Sequence, residues 1–226
     1  MKGIAMNKNL RGFAAVVGLL GAVAFAGTAN AGPIGVTNAN VTIWHYLNPN
    51  PGNSSAPCEQ ALATNPCASP GNQVYNGLYT GLINFTNPAS NDIASFLNTA
   101  GGTFVGSVAG LSIYDLSQGG FTDSTLMEFV FTVGAHSIGS ISHDDGISVY
   151  DATNTKIIDS SSPTVVTSTN FNLLPGTYSL WYSEVNGLPA QLVMDVRQVI
   201  PQVPEPASLA LLALGLLGIG FSRRKQ

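Results

Sequence analysis

Two adjacent aspartates, Asp144 and Asp145, stand before Gly146 in the stretch SHDDGISVYD, and further along the chain reads Tyr182-Ser183-Glu184-Val185-Asn186. Paired carboxylates in a turn present hard oxygen donors close together, which is what Ca²⁺ requires of its ligands. Asp144, Asp145 and Glu184 offer such oxygens. Asn186, whose amide can both donate and accept, is a candidate ligand-binding residue. A structural reading stands beside the metal reading. Asp-Asp-Gly makes a turn unaided, with an aspartate capping the backbone and Gly146 free to take a positive φ.

Other chemistry has less behind it. His143 precedes the aspartates, but there is no Gly-x-Ser-x-Gly elbow, and no serine is marked as a nucleophile. Glycoside hydrolysis needs two carboxylates flanking a cleft. Asp144, Asp145, Asp151 and Glu184 are available, but neighbours in one turn rarely make such a pair. The expectation is that the protein is not an enzyme, with a polysaccharide hydrolase as the last alternative. Trp44, Trp181, Tyr178 and Tyr182 could stack on sugar rings, although aromatic residues that alternate along a strand usually face a core. Trp181 is out of step with Tyr178, Leu180 and Tyr182. It is expected at the surface, as the best single stacking platform.

These residues sit in a part of the chain with period-two patterning. In TLMEFVFTV, Met127, Phe129, Phe131 and Val133 alternate with Glu128, Val130 and Thr132. HSIGSIS (136–142) reads as a strand. ISVYD and TKIID read as a hairpin joined by Ala152-Thr153-Asn154. Two strands flank Pro175-Gly176, with Tyr178, Leu180 and Tyr182 on one face. QLVMDV turns Leu192, Met194 and Val196 inward. One helix is expected within 88–102, where Ile93, Phe96, Leu97 and Ala100 have helical spacing, Ser90 or Asn91 can cap, and Gly101 can end it. The fold class is mainly β, an antiparallel β-sandwich with one short helix. Residues 77–202 form the domain. The segment 32–76 reads as loop-rich, with one strand over 41–47.

The motifs SHDDGISVYDATNTKIID, NLLPGTYSLWYSE and QLVMDV, in that order over 125–196, resemble the module named after the anthrax protective antigen, a β-sandwich found in adhesins, glycosidases and toxins. In the flocculin-type adhesins similar to it, two adjacent aspartates joined by a cis peptide hold Ca²⁺, an Asn from a later loop completes the site, and the ion coordinates sugar hydroxyls. The resemblance thus implies that Asp144 and Asp145 are candidate Ca²⁺ ligands, with Glu184 a further one, and leaves three outcomes open: a structural turn, Ca²⁺ without sugar, and Ca²⁺-dependent sugar binding. The sequence departs from that pattern after Tyr182-Ser183, where Glu184 stands in place of the Asn and Asn186 follows two residues on.

The two ends address a different question. Lys2, Lys8 and Arg11 precede the apolar run 12–27, and Ala29-Asn30-Ala31 is a small-x-small cleavage site. Residues 1–31 are expected to be a secretory signal peptide removed by signal peptidase. At the other end Val203-Pro204-Glu205-Pro206 leads into an apolar run over 207–221 and then Arg223-Arg224-Lys225. As a transmembrane helix this run is short, roughly 22 Å against a hydrocarbon core of about 30 Å. The basic end would stay cytoplasmic and the body outside. The tail resembles the PEP-CTERM sorting signal. That implies processing by exosortase near Pro204–Pro206, after transient anchoring in the inner membrane of a Gram-negative bacterium. Delivery to the cell surface or extracellular matrix, among extracellular polysaccharide, would follow.

Composition agrees with export. Only 9% of residues are charged, the net charge is −4, and the cations cluster at the two ends. Nucleic acid is therefore excluded as a partner. In an oxidising compartment Cys58 and Cys67 are expected to pair. The chain thus reads as an exported matrix or carbohydrate-associated binding module, with a purely structural surface protein as the alternative.

Overall fold

The period-two runs pair into two antiparallel sheets. The structure is a computed structural model describing residues 35–49, 51–53 and 57–199. The signal-like segment with Ala29 and Ala31 lies outside the described residues. So do the Val203-Pro204-Glu205-Pro206 motif, the apolar run 207–221 and Arg223-Arg224-Lys225. Among the described residues, no helix is long and apolar enough to cross a membrane.

The strands in chain order are β1 (Val36–Leu47), β2 (Gln73–Gly81), β3 (Asn84–Phe85), β4 (Thr103–Val105), β5 (Asp123–Val133), β6 (Ser137–Asp144), β7 (Ile147–Asp151), β8 (Lys156–Ser160), β9 (Thr167–Leu173), β10 (Gly176–Glu184) and β11 (Gln191–Gln198). The seven-stranded sheet has the order β4-β2-β1-β5-β10-β7-β8, and the four-stranded sheet the order β3-β11-β6-β9.

Alternation decides which faces meet. Phe131, Phe129 and Met127 of β5 lie opposite Tyr178, Leu180 and Tyr182 of β10, and all six are buried. Ile141, Phe171, Leu192, Met194 and Val196 of the smaller sheet close over them in the same core. Each side chain of this size contributes about 1.5–3 kcal/mol when taken fully out of water. The inward residues expected from β5, β10 and β11 are therefore the ones that build the core.

Two expectations about the first part of the chain are corrected. β1 begins at Val36 and is an interior strand, paired with β2 on one side and β5 on the other. Ala39, Val41 and Ile43 alternate into the core, so the sheet starts well before residue 77. The residues 57–72 are loop, as expected, but they are not a separate appendage. They lie over the outer face of the larger sheet and bury Trp44, Tyr46, Leu126, Tyr150 and Trp181 in a second apolar cluster with Ala61. Cys58 and Cys67 are joined in a disulfide that closes this strap. Backbone ties fix it to the sheet: the Ala61 N–H donates to the Ser161 carbonyl at 2.9 Å, and the Ser148 hydroxyl donates to the Ala61 carbonyl.

Among the described residues the one α-helix, α1 (Ile93–Asn98), buries Ile93, Ala94, Phe96 and Leu97. Its cap is Asp92, not Ser90 or Asn91: the Ser95 N–H donates to Asp92 Oδ1 at 2.8 Å. Three capping residues stand in a row here, and Asp92 is the one placed to meet the third amide of the helix. The helix ends at Asn98 on Thr99, whose N–H and hydroxyl both donate to the Phe96 carbonyl, and the expected terminator Gly101, at φ 68°, lies in the turn beyond.

Candidate functional site

β6 ends on Asp144, and the chain turns through Asp145 and Gly146 into β7. Two further loops reach the same end of the sandwich: 161–166, between β8 and β9, and 185–190, between β10 and β11. Together they enclose a cavity of about 350 Å³ lined by Asp144, Asp145, Thr164–Val166 and Val185–Pro189. The lining combines two carboxylates with the aliphatic residues Val165, Val166, Leu188 and Pro189. No lysine, arginine or histidine lines it.

The aspartates are held firmly. Asp145 is 6% exposed. Its Oδ1 accepts from the Thr164 N–H at 3.0 Å and its Oδ2 from the Val185 N–H at 2.9 Å, which pins both loops to the turn. Burial pushes the Asp145 carboxyl up to about 7, against the pull of those two amides. The neighbouring carboxylates of Asp144 and Glu59 push the same way. Burial also raises Asp144, which the Val166 N–H partly offsets. The Asp144–Asp145 peptide is cis.

Gly146 has a different role from the one read in the sequence. It is not among the residues with positive φ. A Cβ there would instead overlap the carbonyl oxygen of Ser161 and touch the Ser183 hydroxyl. The glycine is needed for close approach of two backbones.

The other predicted site residues divide. Asn186 does line the cavity, at φ 68°, and its Oδ1 accepts from the Gly120 N–H at 2.8 Å. Glu184 does not line it. It is fully buried, with Ser117 Oγ donating to Oε1 at 3.1 Å and the Tyr182 hydroxyl at 2.5 Å from Oε2. Burial raises its carboxyl well above the usual range, which favours the neutral acid. Trp181 is on the opposite face of the larger sheet, 6% exposed, with its ring stacked on Trp44 at 5.4 Å beneath the strap. It has the phase along β10 that alternation predicts, but it is not the expected surface platform, because the strap covers that face.

His143 is buried with both ring nitrogens engaged, Nδ1 at 2.6 Å from the Asp145 carbonyl and Nε2 at 3.2 Å from Thr169 Oγ1. Burial lowers its pKa. It orients the turn from behind and has no free nitrogen for acid–base work. Glu59 was not singled out from the sequence. It comes from the strap, is fully buried, and accepts from the Asn48 amide and from Ser124 Oγ at 3.3 Å.

Among the described residues, no three His, Cys, Asp or Glu side chains converge as a metal-binding group. Any ion here would rest on two carboxylates and on oxygens of another kind. The hard carboxylate oxygens of Asp144 and Asp145, in a cavity that no cationic side chain lines, are of the kind that Ca²⁺ takes.

Comparison with known proteins adds the following. Residues 202–225 match the PEP-CTERM protein-sorting motif. Among solved structures, a PA14 sugar-binding domain from an RTX adhesin is similar over 72% of this chain and 90% of its own, at 14% identity and a TM-score of 0.49. The PA14 domain of MpAFP antifreeze protein is similar over 79% of this chain and 90% of its own, at 8% identity and a TM-score of 0.45. No curated protein matches the chain.

Proposed function

We propose that the body is a binding module that holds Ca²⁺ at Asp144 and Asp145 and uses the ion to take hydroxyl groups of extracellular polysaccharide. The observation that carries this reading is the pair of carboxylates, 7% and 6% exposed, facing a cavity that no cationic side chain lines. Two carboxylates this buried are costly as anions unless a positive charge joins them. A dication would relieve both the burial and the mutual repulsion. Loop carbonyls would fill part of its shell and leave positions for sugar hydroxyls, while the aliphatic side accepts the C–H face of a ring.

The tail supplies the destination. A PEP-CTERM motif at 202–225 implies an exported, surface-targeted protein. We read residues 1–31 as the signal peptide and the run 207–221 as a transient inner-membrane anchor, removed by exosortase. The body would then work at the cell surface or in the matrix. No covalent chemistry is assigned to it.

A second reading has its own support. Both oxygens of Asp145 already accept a backbone N–H, so the turn would serve as a clasp for two loops without any ligand. The module would then be a structural surface protein. Glycan-array binding, with calcium and with chelator, separates the two. Calcium-dependent signal on polysaccharide supports the binding module, and no signal under either condition supports the clasp.

A further inference from the structure

We propose that β9 is a docking edge for a second copy of this chain, the two β9 strands pairing antiparallel about Asn170 so that the smaller sheets of two molecules become continuous. It needs no ion at the aspartates, although Val165 and Val166 also line the cavity beside them.

The four sheet edges differ in kind. β4 and β3 are short, at three and two residues. β8 carries Lys156 and Asp159, paired at 2.6 Å, which are the charges that usually guard an edge. β9 has seven residues, and among the described residues no strand pairs with its far side. From Ser160 to Ser183 the chain has no acidic or basic side chain. A long edge without charge, proline or bulge is a template for another strand. On a chain of net charge −4, it is also the place where two copies can approach with the least repulsion.

The exposed apolar residues identify that strand as a second copy. Val165 and Val166, 80% and 51% exposed, stand just before β9, and Leu174, 64% exposed, stands just after it. Ile138, 44% exposed, lies across from Asn172 on β6. A two-fold axis normal to the sheet pairs residues of the same face, so the register must keep outward residues opposite outward ones. With Asn170 on the axis, Ser168 meets Asn172, and Val166 falls opposite Leu174 at both ends. Val166 of each molecule is then covered by Leu174 of the other, on the face where Ile138 is also exposed.

Cysteine trapping on the full-length exported protein, in mild detergent, tests this. Residues opposite one another in an antiparallel pair have Cα atoms about 4.5–5.5 Å apart, within disulfide reach. Asn170→Cys should give a cross-linked dimer in several-fold greater yield than Lys156→Cys on the β8 edge, with Cys58–Cys67 intact by peptide mapping. Asn170→Lys, which puts two like charges opposite each other, should turn a dimer into a monomer by light scattering. Equal trapping at both edges would overturn the proposal. A wild-type monomer at all concentrations would do the same: with β9 amides protected from exchange the chain's own tail covers the edge, and with them unprotected water does. The wild-type measurements decide even if a variant fails to fold.

Discussion

The Tyr182 hydroxyl lies 2.5 Å from Oε2 of Glu184, two residues along the same strand. It is also 2.6 Å from the carbonyl oxygen of Asp144. A phenol has one proton to give, so both contacts are satisfied when Glu184 is the neutral acid and donates to Tyr182, which donates to Asp144. Burial of Glu184 favours that state. The chain of bonds ties the core end of β10 to the first aspartate of the turn.

Two substitutions separate this from an ionised Glu184. Glu184→Gln keeps a neutral donor in place and should change stability by no more than about 1 kcal/mol. Tyr182→Phe strands the Asp144 carbonyl and the acid together, and should cost about 1–3 kcal/mol. Urea unfolding of both variants checks the order. A glutamine variant much weaker than the phenylalanine variant would mean that Glu184 is charged.

Glu59 should give stability an unusual pH dependence. Burial pushes its carboxyl up to about 7, partly offset by hydrogen bonds from Ser124 and Asn48. In the unfolded chain a glutamate titrates near 4.3. The folded state therefore holds the proton more tightly. The contribution of Glu59 is fully present below about pH 4.3, falls as pH rises, and levels off above about 7. The slope is at most about 1.4 kcal/mol per pH unit. The stability difference between wild type and Glu59→Gln, followed by urea unfolding across this window, should shrink with rising pH. A difference that stays constant would contradict the buried-acid assignment.

Crowding, not backbone conformation, makes Gly146 necessary. Gly146→Ala should cost roughly 1–3 kcal/mol, because its Cβ overlaps the Ser161 carbonyl oxygen. Gly146→Asn discriminates. Asparagine tolerates a left-handed position but not a crowded one, so it should be at least as damaging as alanine in thermal melts.

Opening the strap should be visible in fluorescence. Cys58→Ser with Cys67→Ser removes the constraint on the short loop, a loss of about 2–3 kcal/mol by chain entropy. The Trp44–Trp181 stack beneath it should gain water, with a red-shifted emission before global unfolding. Emission unchanged until the main transition would mean that packing alone holds the strap.

What could be read in the chain follows from how local each cause is. The inward set Met127, Phe129 and Phe131, the hairpin after Asp151 and the helix over Ile93–Asn98 each depend on spacing within a few residues, and spacing is visible. The Cys58–Cys67 pair followed from there being two cysteines in an exported chain. The strap over Trp181, the interior position of β1 and the burial of Glu59 depend on which distant segments meet. Periodicity carries no such information. Glu184 illustrates the limit at the site. The residue type suggested a ligand, but its place at the inward phase of β10 turns it to Tyr182 and Ser117 and away from the cavity.

Calorimetric titration of the exported protein with Ca²⁺, wild type beside Asp144→Asn, tests the proposed site most directly. Asp144 is the better target, since Asp145 also clasps Thr164 and Val185 and its loss would mix folding with binding. An ion held by the two carboxylates gives a single-site isotherm of about one Ca²⁺ per chain, weakened at least tenfold by the substitution, as one anionic ligand is removed. Wild type in calcium at about a hundred times its Kd should also gain about 2.7 kcal/mol of stability over protein in chelator. No heat of binding and the same stability with calcium as with chelator would contradict the calcium site and leave the aspartate turn as a structural clasp.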